Sequence, residues 1–119
     1  MTLQKHKRKM MIFIISPYRH NDGVIVETRV LAAEKYTAEL INQNLVVFSA
    51  VAYIHHLIKR YDLPVTLEYW QEFLYAYLLR ATEAHVLMLE GWEKSEGVQW
   101  EMDRTAQLKI PFIYVEESP

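Results

Sequence analysis

Met11-Ile12-Phe13-Ile14-Ile15-Ser16-Pro17 is the stretch that decides the fold. Five apolar residues run without alternation and stop at Ser-Pro. A strand with one wet face would alternate apolar and polar side chains. An unbroken run suits a strand buried on both faces, as in a parallel sheet. Leu45-Val46-Val47-Phe48 and His85-Val86-Leu87-Met88-Leu89 repeat the signal, and Pro111-Phe112-Ile113-Tyr114-Val115 reads as the last strand.

The segments between these runs are helical. After a loop from Tyr18 to Gly23, residues Val26, Val30, Ala33, Thr37, Leu40 and Ile41 fall on one face at three- and four-residue steps. Ser49 to Arg60 reads as a loop and a short helix, broken by Tyr61-Asp62-Leu63-Pro64. Leu67, Trp70, Leu74, Tyr77, Leu78 and Ala81 form the clearest stripe, with Thr66 at the N-cap position. A stripe at helical spacing is core rather than a stacking platform. A last helix is expected near Gly97 to Lys109.

The order β-α-β-α-α-β-α-β predicts an α/β protein. It should be a Rossmann-like or flavodoxin-like three-layer sandwich with a mostly parallel sheet of four or five strands. Ligands of such sheets bind outside the carboxyl ends of the strands. That rule selects three segments: Ser16 to Gly23, Ser49 to His56, and Glu90 to Gly97.

The chain has 119 residues, 51% hydrophobic and 24% charged, enough for one core. Residues 1–10 are expected to be a basic tail outside the fold, and 11–119 a single domain without internal repeats. The absence of cysteine excludes disulfides, thiolate metal sites and thiol catalysis. The net charge of -2 gives no nucleic-acid footprint. Lys5, Lys7, Arg8 and Lys9 concentrate positive charge at the start, either as a solvated tail or as a weak contact with nucleic acid or membrane. No apolar stretch approaches the roughly 20 residues of a membrane span, and no secretory signal stands out, so a cytoplasmic location is expected. His55 and His56 are adjacent and point apart on a helix, so no metal site is expected, and no cofactor. The sequence lacks a P-loop, GxGxxG, GxSxG or HExxH motif.

The segment with chemistry in it is Leu89-Glu90-Gly91-Trp92-Glu93-Lys94-Ser95-Glu96-Gly97-Val98-Gln99-Trp100-Glu101. Ser95 stands where an N-cap would, at a helix following a strand. Free backbone N–H groups at such a helix start attract anions. Gly97 lets a ligand approach the first turn closely. Glu101 lies one turn deeper on the same face, where a carboxylate would look into a pocket above the strand ends. A carboxylate so placed can attack a sugar carbon. On spacing alone, an ordinary surface glutamate on a capped helix fits as well.

Several segments together resemble the nucleoside 2-deoxyribosyltransferase-like superfamily, in particular its small bacterial and phage-type members. They are Ile12-Phe13-Ile14-Ile15-Ser16-Pro17-Tyr18, Val47-Phe48-Ser49 with His55, Trp70, and Leu89-Glu90-Gly91-Trp92 through Ser95-x-Gly97-x-x-x-Glu101. The resemblance covers Met11 to Glu116. It implies a Rossmann-like fold and cleavage or transfer at a nucleoside N-glycosidic bond, with Glu101 as the nucleophile at C1′. It implies substrate contacts from Ser16, Pro17, Tyr18, Arg19, Ser49, His55, Gly91, Trp92, Ser95 and Gly97. Serine rather than aspartate at position 95, with Arg19 as a nearby cation, points to a nucleoside 5′-monophosphate. Arg29 is a second phosphate candidate or a surface charge. Tyr18 and Trp92 would bracket the base, and His55 would donate a hydrogen bond or be a plain loop histidine.

One departure stands out. The superfamily usually carries an aspartate on the helix before the third strand, and the inward stripe here has none. Either Tyr77 or Glu72 takes its place, with Tyr77 the catalytic candidate, or the second carboxylate is absent. The expected function is therefore a nucleoside or nucleoside 5′-monophosphate N-glycosidase or deoxyribosyltransferase. The alternatives are a non-catalytic nucleotide-binding module and an interaction protein. Trp92 and Trp100 look like exposed aromatics, which suggests a homo-oligomer, a dimer or tetramer.

Overall fold

Ile12 to Ile15 are all buried, which explains why the unbroken apolar run forms the centre of a sheet (β1, Ile12–Ile15). Each such side chain contributes about 1.5–3 kcal/mol when removed from water. The computed structural model describes residues 10–117. The basic tail lies almost wholly outside the described residues. β1 is flanked by β2 (Val47–Ser49) and β3 (Glu83–Met88), and β4 (Phe112–Glu116) closes the far edge, in the order β2-β1-β3-β4. All three pairings are parallel. The sheet is thus wholly parallel, with four strands.

The helices are α1 (Gly23–Asn42), α2 (Ala50–Tyr61), α3 (Leu67–Leu78) and α4 (Glu96–Gln107). Alternation along β1 divides them between two faces. Phe13 and Ile15 point into a core with Ala50, Ile54 and Ile58 of α2, Trp70, Leu74 and Leu78 of α3, and Val98 of α4. Ile12 and Ile14 pack on the other face with Leu40 of α1, Leu87 and Leu89. The result is a Rossmann-like α/β sandwich with α1 on one face and α2 to α4 on the other.

The boundaries differ from expectation in instructive ways. No loop follows β2, because Ser49 caps α2 directly, its hydroxyl accepting the N–H of Ala52 at 3.1 Å. β3 starts earlier than the apolar run, at Glu83, because β1 offers ladder partners from Ile12 onward. Thr66 occupies the N-cap of α3 but its side chain makes no capping bond. Ile41 is 56% exposed although it shares the sequence stripe; Leu40 is the side chain that reaches the sheet. Trp92 and Trp100 are not free surface aromatics. Both are half-buried against the α2–α4 core, and Arg104 lies 5.3 Å from the ring of Trp100. Among the described residues, no helix is long and apolar enough to cross a membrane.

Candidate functional site

β1 lies between β2 and β3, so the chain leaves it first to one side and later returns to the other. Loops that diverge at such a switch point leave a crevice at the carboxyl ends of the strands. Here the crevice is a cleft of ≈ 1210 Å³, walled by the loop after β1, the first turns of α1, the inner face of α2, and the start of α4.

Helix caps fix its walls. Asp22 caps α1 by accepting the Val24 N–H at 2.9 Å, and Ser95 caps α4 by accepting the Val98 N–H at 3.3 Å. The Ser95 bond leaves the earlier N–H groups of the first turn free for a ligand. A Cβ placed on Gly97 would meet nothing closer than the Ser95 hydroxyl at 4.0 Å, so the space above that turn is open.

Glu101 lies on the cleft floor. It is 6% exposed, and its carboxyl makes no hydrogen bond or ion pair among the described residues. Burial alone pushes that carboxyl up to about 8. A group buried at such cost, with no partner and facing a cavity, marks a functional site more often than a structural one.

In the same cleft, the Tyr18 hydroxyl lies 2.8 Å from Nδ1 of His55. His55 is 2% exposed, and its Nε2 lies 2.8 Å from the Glu27 carboxylate. That contact is close but off the direction of the ring N–H, and Nε2 has no aligned hydrogen-bond partner. Lys59 approaches Glu27 at 3.6 Å. Desolvation works to raise the Glu27 carboxyl, but the charges of His55 and Lys59 outweigh it and leave it below the ordinary range. Burial, helped by the Glu27 charge, pushes the Tyr18 phenol up. Ser16, at the end of β1, lines the same cleft with a buried hydroxyl that has no partner.

The cleft therefore gathers Glu101, Ser16, Tyr18, Arg19, His55, Ser95 and Gly97 from the sequence-predicted set. The others lie elsewhere. Pro17 is buried behind the loop, and Ser49 is a buried helix cap. Gly91 borders a smaller neighbouring cavity. Trp92 packs on the core with its ring 6.1 Å from Tyr114, so it does not bracket a ligand with Tyr18. Tyr77 stacks on Phe48, centroids 3.8 Å apart and planes at 4°. It faces away from the cleft, and neither it nor Glu72 lines the cleft. Besides Glu101, α1 brings a carboxylate to the cleft wall, Glu27. Its sequence signal was positional: it lies one turn into the helix that leaves the β1 loop. Arg29, the second phosphate candidate, is 9% exposed and ties two loops together through the carbonyls of Arg19 and Glu90.

Fold and site together define a parallel α/β sandwich with an acid-floored cleft at its switch point. The chain belongs to a family described as a domain of unknown function, DUF1937, which matches residues 10–117. No curated protein matches it.

Proposed function

We propose that this protein is a nucleoside or nucleoside 5′-monophosphate N-glycosidase or deoxyribosyltransferase that uses Glu101 as its nucleophile. The observation that carries the reading is the Glu101 carboxyl: buried, unpaired, and lining the cleft beside an anion-attracting helix start. The 5′-phosphate sits at the first turn of α4, with Ser95 and Arg19 beside it and Gly97 leaving room. The ionised Glu101 oxygen bonds to C1′ while the C1′–N bond breaks, and its electron pair leaves with the base. Tyr18 gives its hydroxyl proton to the departing base and recovers one from His55 Nδ1, and Glu27 supports His55 while it holds that proton. Water or a second base then displaces Glu101 and takes the sugar.

Incubation with a panel of ribo- and deoxyribonucleosides and their 5′-monophosphates tests this, with free base measured chromatographically. Release from at least one, lost in Glu101→Gln, is expected. No release from any overturns it.

A second reading has its own support. At neutral pH burial keeps Glu101 mostly protonated, and a neutral carboxyl donates a hydrogen bond rather than attacking carbon. A nucleotide-binding module of the same fold would show thermal stabilisation by ligand and no base release at any pH.

A further inference from the structure

Beside the cleft, between the β1 loop and the turn after β3, lies a second cavity of ≈ 440 Å³. Arg19, His20, Thr28, Lys94 and Ser95 line both spaces, so the two meet across a shared waist. Among the side chains that line the smaller one and not the cleft, the cation is Arg29.

Arg29 is buried at 9% exposure, yet no carboxylate among the described residues lies within ion-pair distance of it. Its Nη1 donates to the Arg19 carbonyl at 2.8 Å and its Nη2 to the Glu90 carbonyl at 3.0 Å. Its Nε–H is buried with no partner at all. Two carbonyl dipoles offset only part of the cost of burying a full positive charge, and the orphaned N–H adds to that cost. Gly91 keeps the place clear. It adopts φ +87°, and a Cβ there would stand 2.7 Å from Nη2 of Arg29. The waist carries two more cations, Arg19 and Lys94, and neither forms an ion pair among the described residues. Among the described residues that line this cavity, Glu90 and Glu117 are the carboxylates, both exposed at the rim.

We propose that this cavity is a second anion subsite centred on Arg29, so that the ligand of the cleft carries two linked phosphates. The planar guanidinium, with a free N–H, fits a phosphate better than a point charge would. One phosphate occupies the start of α4, and the next passes the Arg19–Lys94 waist to reach Arg29. The ligand class is a nucleoside diphosphate or a nucleotide joined through a pyrophosphate bridge. The nucleoside part of this assignment rests on the function proposed above; the anion subsite does not.

The test uses inorganic pyrophosphate and inorganic phosphate alone, then a nucleoside diphosphate against its monophosphate, by thermal shift and calorimetry on the full chain. Pyrophosphate should match the thermal shift of phosphate at about one-tenth the concentration, and the diphosphate should bind about tenfold tighter than the monophosphate. Arg29→Lys keeps the charge but loses the fork, and should bring both ratios close to one. Because Arg29 also joins two loops, Glu117→Gln serves as a variant that does not threaten folding. Removing that rim charge should tighten pyrophosphate about threefold and phosphate less. Equal affinity for phosphate and pyrophosphate, unchanged in Glu117→Gln, overturns the proposal. If pyrophosphate binds as expected while no nucleotide loses its base, the subsite stands and the glycosidase reading falls. If bases are released but no diphosphate preference exists, the subsite falls and the glycosidase reading stands.

Discussion

The molecule contains two Tyr–His–Glu chains built on the same plan, and they differ in what they leave unfinished. In the cleft, Tyr18 meets His55 Nδ1 at 2.8 Å, and His55 Nε2 approaches Glu27 at 2.8 Å. On the opposite face of the sheet, Tyr36 meets His85 Nδ1 at 2.6 Å, and His85 Nε2 bonds Glu83 at 2.6 Å. The second chain is closed. Both ring nitrogens have aligned partners, Glu83 lies two residues from His85 on the same strand, and neither cavity touches the group. It pins α1 to β3. The first chain is open: its Nε2 lacks an aligned acceptor, its glutamate is 50% exposed, and all three side chains line the cleft. Satisfied polar groups hold a fold together, whereas incompletely satisfied ones are available to a ligand.

The contrast is sharpest at Glu101, the most expensive group on the open side. Replacing it with glutamine should lower base release by about a thousandfold or more, since the proposed mechanism loses its nucleophile. The same substitution should stabilise the fold under alkaline conditions. Between the ordinary carboxyl value of 4.5 and about 8, the folded protein holds a proton that the unfolded chain has released. Stability therefore falls as pH rises through that window and levels off above it. Glu101→Gln abolishes this slope. After the cost of burying an amide, a net gain of about 2 kcal/mol is expected at pH 8, fading toward pH 4.5. Urea titrations at several pH values measure it. Under the proposed function, kcat/KM of the unsubstituted protein should rise with pH toward a midpoint near 8, because Glu101 must be ionised to attack.

The two histidines should then separate cleanly. His85→Ala removes the partner of the half-buried Tyr36 hydroxyl and of Glu83, costing about 1–2 kcal/mol in a denaturant titration while leaving turnover per folded molecule unchanged. His55→Ala should instead lower turnover about a hundredfold, with a smaller loss of stability because its partners can turn to water in the cleft. Equal effects of both on stability and on turnover would erase the distinction between an open and a closed chain.

The smaller effects belong to single contacts. Glu27→Gln should reduce turnover about tenfold, measured as the initial rate of base release, because His55 loses the carboxylate beside it. Gly97→Ala, where a Cβ meets open space, should stabilise α4 by about 0.5–1 kcal/mol and still weaken ligand binding. A stabilised variant with unchanged ligand affinity would remove Gly97 from the site.

Much of the site was legible because it is local. Ser95, Gly97 and Glu101 belong to one helix start, and helical geometry carries the cap, the gap and the carboxyl to the same face. The β1 run announced a doubly covered strand because burial on both faces forbids alternation. The misplacements share one physical cause. Trp92 and Tyr77 are amphipathic aromatics, and the side to which such a ring turns depends on what it meets. Here Trp92 meets the core and Tyr114, and Tyr77 meets Phe48. Glu72 lies on the exposed side of α3, whereas α1 runs along the cleft and brings Glu27 to its wall.

By itself the sequence determined what depends on neighbours along the chain. That includes the strand and helix order, the parallel sheet implied by unbroken apolar runs, and the capped helix start that bears Glu101. Only the tertiary structure decided which distant side chains meet. Glu27 reaches His55 across α1 and α2, and the Arg29 guanidinium lies between the carbonyls of Arg19 and Glu90. Periodicity sets the face on which a residue lies, but burial, and with it the raised proton affinity of Glu101, depends on everything packed around that face.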